Sequence, residues 1–370
     1  MRELRRLAAV LCLGIVTSTA AMAQIVVGQT TGLTGPAAAG SNENMVGARL
    51  WFDRVNATGG IGGKRIELVT LDDRFEPARA AENALRLIMV RQVMALFMTR
   101  GTPHTEALRH MLAQYEVPLV APSTGAMLLH KPVDPWIFNV RAPYQREAEK
   151  LVQHLATIGM RRIGLVHVAD SFGEDGAAGA LRGFENTKIK PLFVESYDRA
   201  KPVFTSVVQK AKAGDAQAVV FIGTADAVVE GTQALRAAGS LAQIGTLSNN
   251  ASSGFIKALG EHANGTIVTQ VFPSERALST TLVREASELA RAAGIAELTP
   301  AMIEGFAGAK VLVEGLRRAG PNPTRQTLRQ ALEGLRNVDL GGLELSYGPN
   351  DHSGLNFTEL SIISGGYYRR

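Results

Sequence analysis

Two short stretches carry the residue types best suited to holding a small anion. The first, Thr99-Arg100-Gly101-Thr102-Pro103-His104-Thr105-Glu106, follows an apolar run and opens a helical pattern. Thr102 fits the N-cap, Pro103 the first helical position and Glu106 the first turn. Free main-chain N–H groups, a threonine hydroxyl and the nearby Arg100 form a seat for an anion. Glu106 cuts against a strong positive field, so hydrogen-bond donors rather than net charge are expected to do the holding. The second stretch, Ala121-Pro122-Ser123-Thr124-Gly125-Ala126, is again small, hydroxylated and flexible. Helix capping alone explains one such loop. Two of them, leaving the carboxyl ends of neighbouring strands, make a ligand site an equal reading.

Signatures of catalysis are mostly missing. Gly59-Gly60-Ile61-Gly62-Gly63-Lys64-Arg65 looks like a phosphate loop, but Thr58 precedes it, Arg65 follows the lysine, and a strand comes next. With no helix N-terminus behind it, the stretch reads as a glycine turn. No Gly-x-Ser-x-Gly elbow occurs. The histidines include an i, i+6 pair, His104 and His110, but no His-x-x-x-His. Asp72-Asp73 at a strand end reads as a turn cap rather than a catalytic pair. No enzyme activity, cofactor or metal site is expected.

The loops need a frame, and the apolar pattern supplies one. Ile25–Gln29, Ile66–Leu71, Val93–Phe97 and Val117–Val120 read as strands, with helices over Ala37–Asn56, Pro77–Arg91 and Pro103–Gln114. Asn139–Pro143 is a candidate connecting strand, and Tyr144–Ile158 opens a second series. Its strands are Ile163–Val168, Leu192–Glu195, Ala218–Ile222, Gln243–Leu247 and Thr266–Gln270; its helices lie around 176–185, 204–213, 227–238 and 253–259. Such alternation means parallel sheets covered by helices, and two series mean two α/β domains. After Val271 the chain turns helical (279–293, 300–319, 324–335) and ends in two strand-like runs, Leu343–Tyr347 and Phe357–Ile363. A late return of this kind is natural if the chain crosses back between domains built from discontinuous pieces.

Size and composition agree. The 370 residues suit two domains at roughly 150 residues each, and 46% hydrophobic with 20% charged residues excludes wholesale disorder. Of the net charge of +5, two units lie in residues 1–23, and no run of like charge suits nucleic acid. Met1–Arg6 is cationic, Leu7–Ala20 is apolar, and Ala21-Met22-Ala23 supplies small residues before Gln24. This is the pattern of a cleavable export signal rather than a membrane span. The only cysteine, Cys12, falls inside it behind Leu11, so neither a lipid anchor nor a disulfide is expected. The mature chain is expected to be soluble and exported.

Ordered motifs run through nearly the whole mature chain. They are Gly32-Leu33-Thr34-Gly35-Pro36, Asn56-Ala57-Thr58-Gly59-Gly60-Ile61-Gly62-Gly63, Asp72-Asp73 with Pro77, Gly101-Thr102, Val117-Pro118-Leu119-Val120-Ala121-Pro122, Asp170-Ser171-Phe172-Gly173, and Glu304-Gly305-Phe306. In this order and spacing the sequence resembles the exported solute-binding proteins of ABC transporters, in the type I periplasmic branch that includes the leucine/isoleucine/valine-binding proteins. The resemblance implies two Rossmann-like α/β lobes with parallel sheets, joined by a three-segment hinge and closing on one small solute. On that template lobe 1 spans 24–141 plus 273–345, and lobe 2 spans 142–272 plus 346–370. The template places the ligand carboxylate on Thr102, Ser123, Thr124 and Gly125, a closing aromatic at Phe172, and further second-lobe contacts at Thr224, Ser248 and Asn249.

Two departures from the template bear on the ligand. Amino-acid binders of the family carry an acidic residue at the position of Ser248, where serine cannot pair an α-ammonium; Asp226 is close enough in sequence to substitute. Some members carry an aromatic ring near the position of Gly40, so glycine leaves more room. Both favour a carboxylate without an amine, organic or aromatic, over a branched-chain amino acid. The resemblance also implies a periplasmic monomer that delivers its ligand to an inner-membrane ABC permease. A soluble ligand sensor of the same fold is the alternative, whereas a receptor ectodomain is disfavoured because nothing but Gly365–Arg370 follows the final strand-like run.

Overall fold

The computed structural model describes residues 24–370; the expected export signal lies outside the described residues. In the first series β1 (Gln24–Thr31), α1 (Ala38–Ala57), β2 (Arg65–Asp72), α2 (Pro77–Met89), β3 (Ala95–Phe97), α3 (Thr102–Gln114), β4 (Leu119–Val120) and β5 (Ile137–Phe138) follow one another. The strands form a parallel sheet in the order β2-β1-β3-β4-β5. The connecting strand expected at Asn139–Pro143 is instead β5, with the ladder ending at Phe138. The glycine-rich stretch before β2 is a turn, closed by pairing of Ile61 with Lys64.

The second series runs α4 (Tyr144–Thr157), β6 (Ile163–Val168), α5 (Ser171–Thr187), β7 (Phe193–Tyr197), α6 (Thr205–Ala213), β8 (Ala218–Ile222), α7 (Ala225–Ala237), β9 (Gln243–Thr246), α8 (Ser253–Leu259) and β10 (Ile267–Gln270). Helix α5 starts earlier than the sequence pattern predicts, because the Asp170 carboxylate accepts from the Phe172 and Gly173 N–H groups as an N-cap. The chain then returns through α9 (Thr281–Ala292), α10 (Pro300–Arg318) and α11 (Arg325–Glu333), a small ribbon of β11 (Val338–Asp339) with β12 (Glu344–Leu345), and a final hairpin of β13 (Glu359–Ser364) and β14 (Tyr367–Arg369). The second sheet has the order β14-β13-β10-β9-β8-β6-β7. Its β13 runs antiparallel to β10, and the last residues, expected as a tail, add the edge strand β14. Strand β8 (Ala218-Val219-Val220-Phe221-Ile222) is buried throughout, which is why it reads as an unbroken apolar run rather than an alternating one.

Packing explains the late return. Helix α10 lies on α1 so closely that a Cβ on Gly47 would stand 1.9 Å from the Met302 carbonyl oxygen, and one on Gly305 would stand 1.9 Å from that of Asn44. One apolar cluster joins Ile25, Phe97 and Phe138 to Phe272, Phe306, Tyr347 and Leu355. Another joins Tyr144 and Phe221 to Ile363 and Tyr368. The chain thus passes between the two cores near Ala142–Tyr144, near Val268–Val271, and between Leu355 and Ile363. The segment after 345, assigned to the second lobe by resemblance, begins with Tyr347 and Leu355 in the first core.

Candidate functional site

Both sheets reverse their strand order in the middle, the first between β1 and β3 and the second between β6 and β8. At such a switch point neighbouring connections leave to opposite faces and open a crevice at the carboxyl ends of the strands. The two crevices face each other across one cleft, lined from both sheets. The turn after β1, the Arg100–Thr102 loop after β3, Phe172 after β6 and Thr224 after β8 all line it.

The first-sheet side carries the two hydroxylated loops that the sequence singles out, but Thr102, Thr124 and Gly125 are placed differently from the expectation. Arg100 and Ser123 form a β-bridge, and the Ser123 N–H donates to the Thr99 carbonyl at 2.9 Å, so the loops after β3 and β4 run side by side. Thr102 does not cap α3. Gly101 stands at the N-cap with φ 97°, and the Thr102 hydroxyl lies 2.7 Å from that of Thr124. Thr124 is fully buried behind it and does not line the cleft; Gly125 does not line it either, its carbonyl accepting from the Tyr144 N–H at 2.8 Å.

Arg100 alters the electrostatics of the cleft. Its side chain, in a residue only 7% exposed, donates through Nη1 to Asn44 Oδ1 at 2.7 Å and Ser123 Oγ at 3.2 Å. Through Nη2 it donates to the Asn249 carbonyl at 2.5 Å, reaching across the cleft. Burial lowers the guanidinium from its ordinary value, yet arginine stays charged in proteins. The expectation that donors rather than charge do the holding is therefore altered, because the Arg100 cation sits in the wall itself. The room expected beside Gly40 is taken by the same group, since a Cβ there would lie 2.5 Å from Arg100 Nη2. Arg199 also lines the cleft, paired with Asp170. The one carboxylate lining it among the described residues is Asp226; its side chain keeps contact with solvent, and partial desolvation with the charge of nearby Glu230 raises its pKa.

Aromatic rings close the ends. Phe172, 6% exposed, meets Tyr144 edge to face at 4.9 Å between centroids. Phe75 lies over His104 at 4.2 Å with the Arg199 guanidinium 5.5 Å from its ring. Phe75 and its neighbour Arg74 have φ of 60° and 53°, a left-handed pair that bulky residues adopt only when held. The Asp72-Asp73 pair does the holding: Asp72 Oδ1 accepts from the N–H groups of Leu33, Thr34 and Arg74, and Asp73 Oδ1 from that of Phe75. Burial pushes the Asp73 carboxyl up to about 6. The acidic pair is a turn cap that aims an aromatic ring, a consequence the sequence did not disclose.

On the second-sheet side Thr224 stands at the N-cap of α7 without a side-chain capping bond and lines the cleft. Asn249 contributes its main-chain carbonyl, while its side-chain amide donates to the Gly223 carbonyl. Ser248 is elsewhere. Its hydroxyl accepts from Arg141 Nη2 at 2.6 Å and its N–H donates to Glu147 Oε2 at 3.0 Å. Held by Arg141 and Glu147 away from the cleft, Ser248 does not bear on a ligand ammonium, contrary to the expectation from the resemblance. Of the residues the resemblance placed at the ligand, Thr102, Ser123, Phe172, Thr224 and Asn249 share the cleft, whereas Thr124, Gly125 and Ser248 stand behind it. Tyr144, Arg199 and Phe75 were not foreseen as lining residues, because each arrives from an element distant in sequence.

Ser248 belongs to a buried ionic cluster where the chain leaves the first core. Arg141, 2% exposed, ion-pairs with Glu147 and lies 3.6 Å from Glu304 Oε1 on α10. Its guanidinium lies 4.5 Å from the Tyr144 ring centroid. Burial opposes the charge on Arg141, but Tyr144, Glu147 and Glu304 together hold its pKa above the ordinary value. Glu304 also accepts from Ser123 Oγ at 3.0 Å, which links this cluster to the cleft wall. Among the described residues no group of three or more His, Cys, Asp or Glu could hold a metal, and no helix is long and apolar enough to cross a membrane.

Comparisons with known proteins agree with this architecture. The sequence profile described as periplasmic binding protein matches residues 24–357. A substrate-binding periplasmic protein from Ralstonia solanacearum is 33% identical and superposes with a TM-score of 0.85 over 93% of this chain and 99% of its own. The Leu/Ile/Val-binding protein homolog 3 of Brucella melitensis is 24% identical over 338 residues, 89% of each chain. An amino acid binding protein of Pseudomonas aeruginosa is 25% identical over 209 residues, and that match spans 56% of this chain and 55% of the relative.

Proposed function

Since the chain belongs to the periplasmic binding protein family, we propose that it captures a small carboxylate-bearing solute between two lobes and hands it to the permease of an ABC transporter. Its relatives are binding proteins, not enzymes, and the family is exported to the periplasm. In this reading residues 1–23 are the cleaved export signal, and the chain works as a monomer. Lobe 1 is 24–141 plus 273–345 extended past Leu355, and lobe 2 is 142–272 plus the final hairpin. The solute is a branched-chain amino acid, as the relatives' names suggest, or an amine-free organic or aromatic acid.

The observation that carries the proposal is the pair of switch-point crevices facing each other, with hydrogen bonds spanning them. Arg100 reaches the Asn249 carbonyl, and Glu43 on α1 accepts from the N–H and hydroxyl of Ser253 at the start of α8. The carboxylate docks on Thr102 and the neighbouring donors of the first lobe. Rotation about the three crossing segments then brings Phe172, Thr224 and Asn249 over it and excludes water. A ligand shifts the open–closed balance only through contacts the closed form adds, and these second-lobe residues supply them.

Thermal-shift screening with branched-chain amino acids, aliphatic dicarboxylates and aromatic acids, followed by small-angle scattering on each hit, tests the proposal. At least one carboxylate should raise the melting temperature and reduce the radius of gyration. Protection from none of them, with unchanged scattering, refutes it.

A further inference from the structure

Resting on that reading, we infer that Phe75 is a gate: a ring carried by lobe 1 that closes on Arg199 of lobe 2 and slows release of the solute. Among the described residues Phe75 belongs to none of the apolar clusters. Its half-buried side chain lines the cleft instead. A left-handed backbone is costly for a bulky residue and persists only where the surroundings impose it. Here no core packing offsets that cost, so the strain points to the cleft.

Both sides of the gate are fixed by a carboxylate. On the lobe 1 side Asp73, fully buried, accepts from the Phe75 N–H and from the Thr30 hydroxyl at 3.0 Å. The ring lies over His104, and a Cβ on Gly101 would stand 3.1 Å from Phe75 Cε2, so glycine there leaves the ring its seat. On the lobe 2 side Arg199 Nε donates to Asp170 Oδ2 at 2.6 Å. Asp170 Oδ1 accepts from the N–H groups of Phe172 and Gly173, which ties the guanidinium to the turn that carries Phe172. Phe75 follows β2 in the first sheet and Arg199 follows β7 in the second, so their 5.5 Å contact runs between the lobes. Rotation that opens the cleft breaks this contact but leaves the ring on His104 and the guanidinium on Asp170. A cation near a ring face is attracted by the ring quadrupole. Because that attraction belongs to the closed form alone, it stabilises closure and acts on release rather than on capture.

Calorimetry with leucine, succinate and 3-phenylpropanoate selects the probes, and stopped-flow kinetics follow each one that gives heat. In Phe75→Ala every such probe should dissociate about fivefold faster or more, with the association rate within roughly twofold. Phe75→Tyr keeps the ring face and should restore slow release. An unchanged dissociation rate, a loss that falls on association, or no rescue by tyrosine overturns the gate and leaves the solute-binding proposal standing. Arg199→Met should also speed release, and adding it to Phe75→Ala should change little further; effects that multiply independently overturn the pairing. If Phe75→Ala does not fold, Arg199→Met alone carries the same expectation for the two rates. If no probe gives heat, scattering from the ligand-free proteins decides: the variant should have the larger radius of gyration, and identical profiles overturn the gate.

Discussion

Replacing Arg141 with methionine separates what the buried cluster contributes to stability from what the cleft contributes to binding. The guanidinium ion-pairs with Glu147, whose side chain is completely buried, lies 3.6 Å from Glu304, and donates to Ser248. Methionine fills much of the space but leaves two carboxylates without their cation. Removing one partner of a buried pair costs about 3–5 kcal/mol, because the charge left behind is uncompensated. Glu147 keeps the Ser248 N–H and the Thr269 hydroxyl, and Glu304 keeps the Ser123 hydroxyl. Those remaining donors place the expected loss at the lower end, about 3 kcal/mol. Urea unfolding at neutral pH, followed by Trp51 and Trp136 fluorescence, reads it as a lower midpoint at an unchanged slope. Adding Glu147→Gln to Arg141→Met should recover at least half of the loss, since the second change removes the orphaned charge. A single-variant loss below about 1 kcal/mol, or no recovery in the double variant, would refute the account of the cluster as mutually compensating buried charges.

Thr102→Ala should weaken an acid identified by the thermal-shift panel roughly ten- to 150-fold, the equivalent of a charge-assisted hydrogen bond of about 1.5–3 kcal/mol, without unfolding the protein; unchanged affinity by calorimetry rejects Thr102 as a carboxylate contact. Acid should destabilise the fold through its buried histidines. Burial lowers His104 and His130 to about 4, and His352 shifts the same way. A histidine with a depressed folded pKa binds its proton more readily when unfolded, so its contribution is intact above about pH 6.5 and is lost as pH falls toward 4. The melting temperature should drop across that window and drop less in His130→Asn; a flat profile from pH 7 to about 4.5 contradicts the assignment.

Much of the frame was legible in the sequence because its cause is local. A parallel strand buried on both faces must be apolar throughout, as β8 is, and helices must begin at residues that can satisfy free N–H groups, as α10 does at Thr299. The two hydroxylated loops that end β3 and β4 were legible for the same reason. Less legible were features that depend on a partner far along the chain. The α3 cap moved from Thr102 to Gly101 because the Thr102 hydroxyl turns to Thr124. The edge strand β14 exists only because β13 is there to pair with it.

The sequence by itself determined the alternating elements, the two α/β domains, and the small hydroxylated loops that end neighbouring strands. Only the tertiary structure decided that Arg100 fills the space beside Gly40, that Ser248 joins a buried ionic cluster rather than the cleft, and that Asp72 and Asp73 hold Phe75 in place. The physical reason is range. Apolar periodicity and capping act over a few residues, whereas a guanidinium that bonds Asn44, Ser123 and Asn249 draws together three stretches that meet only when the chain has folded.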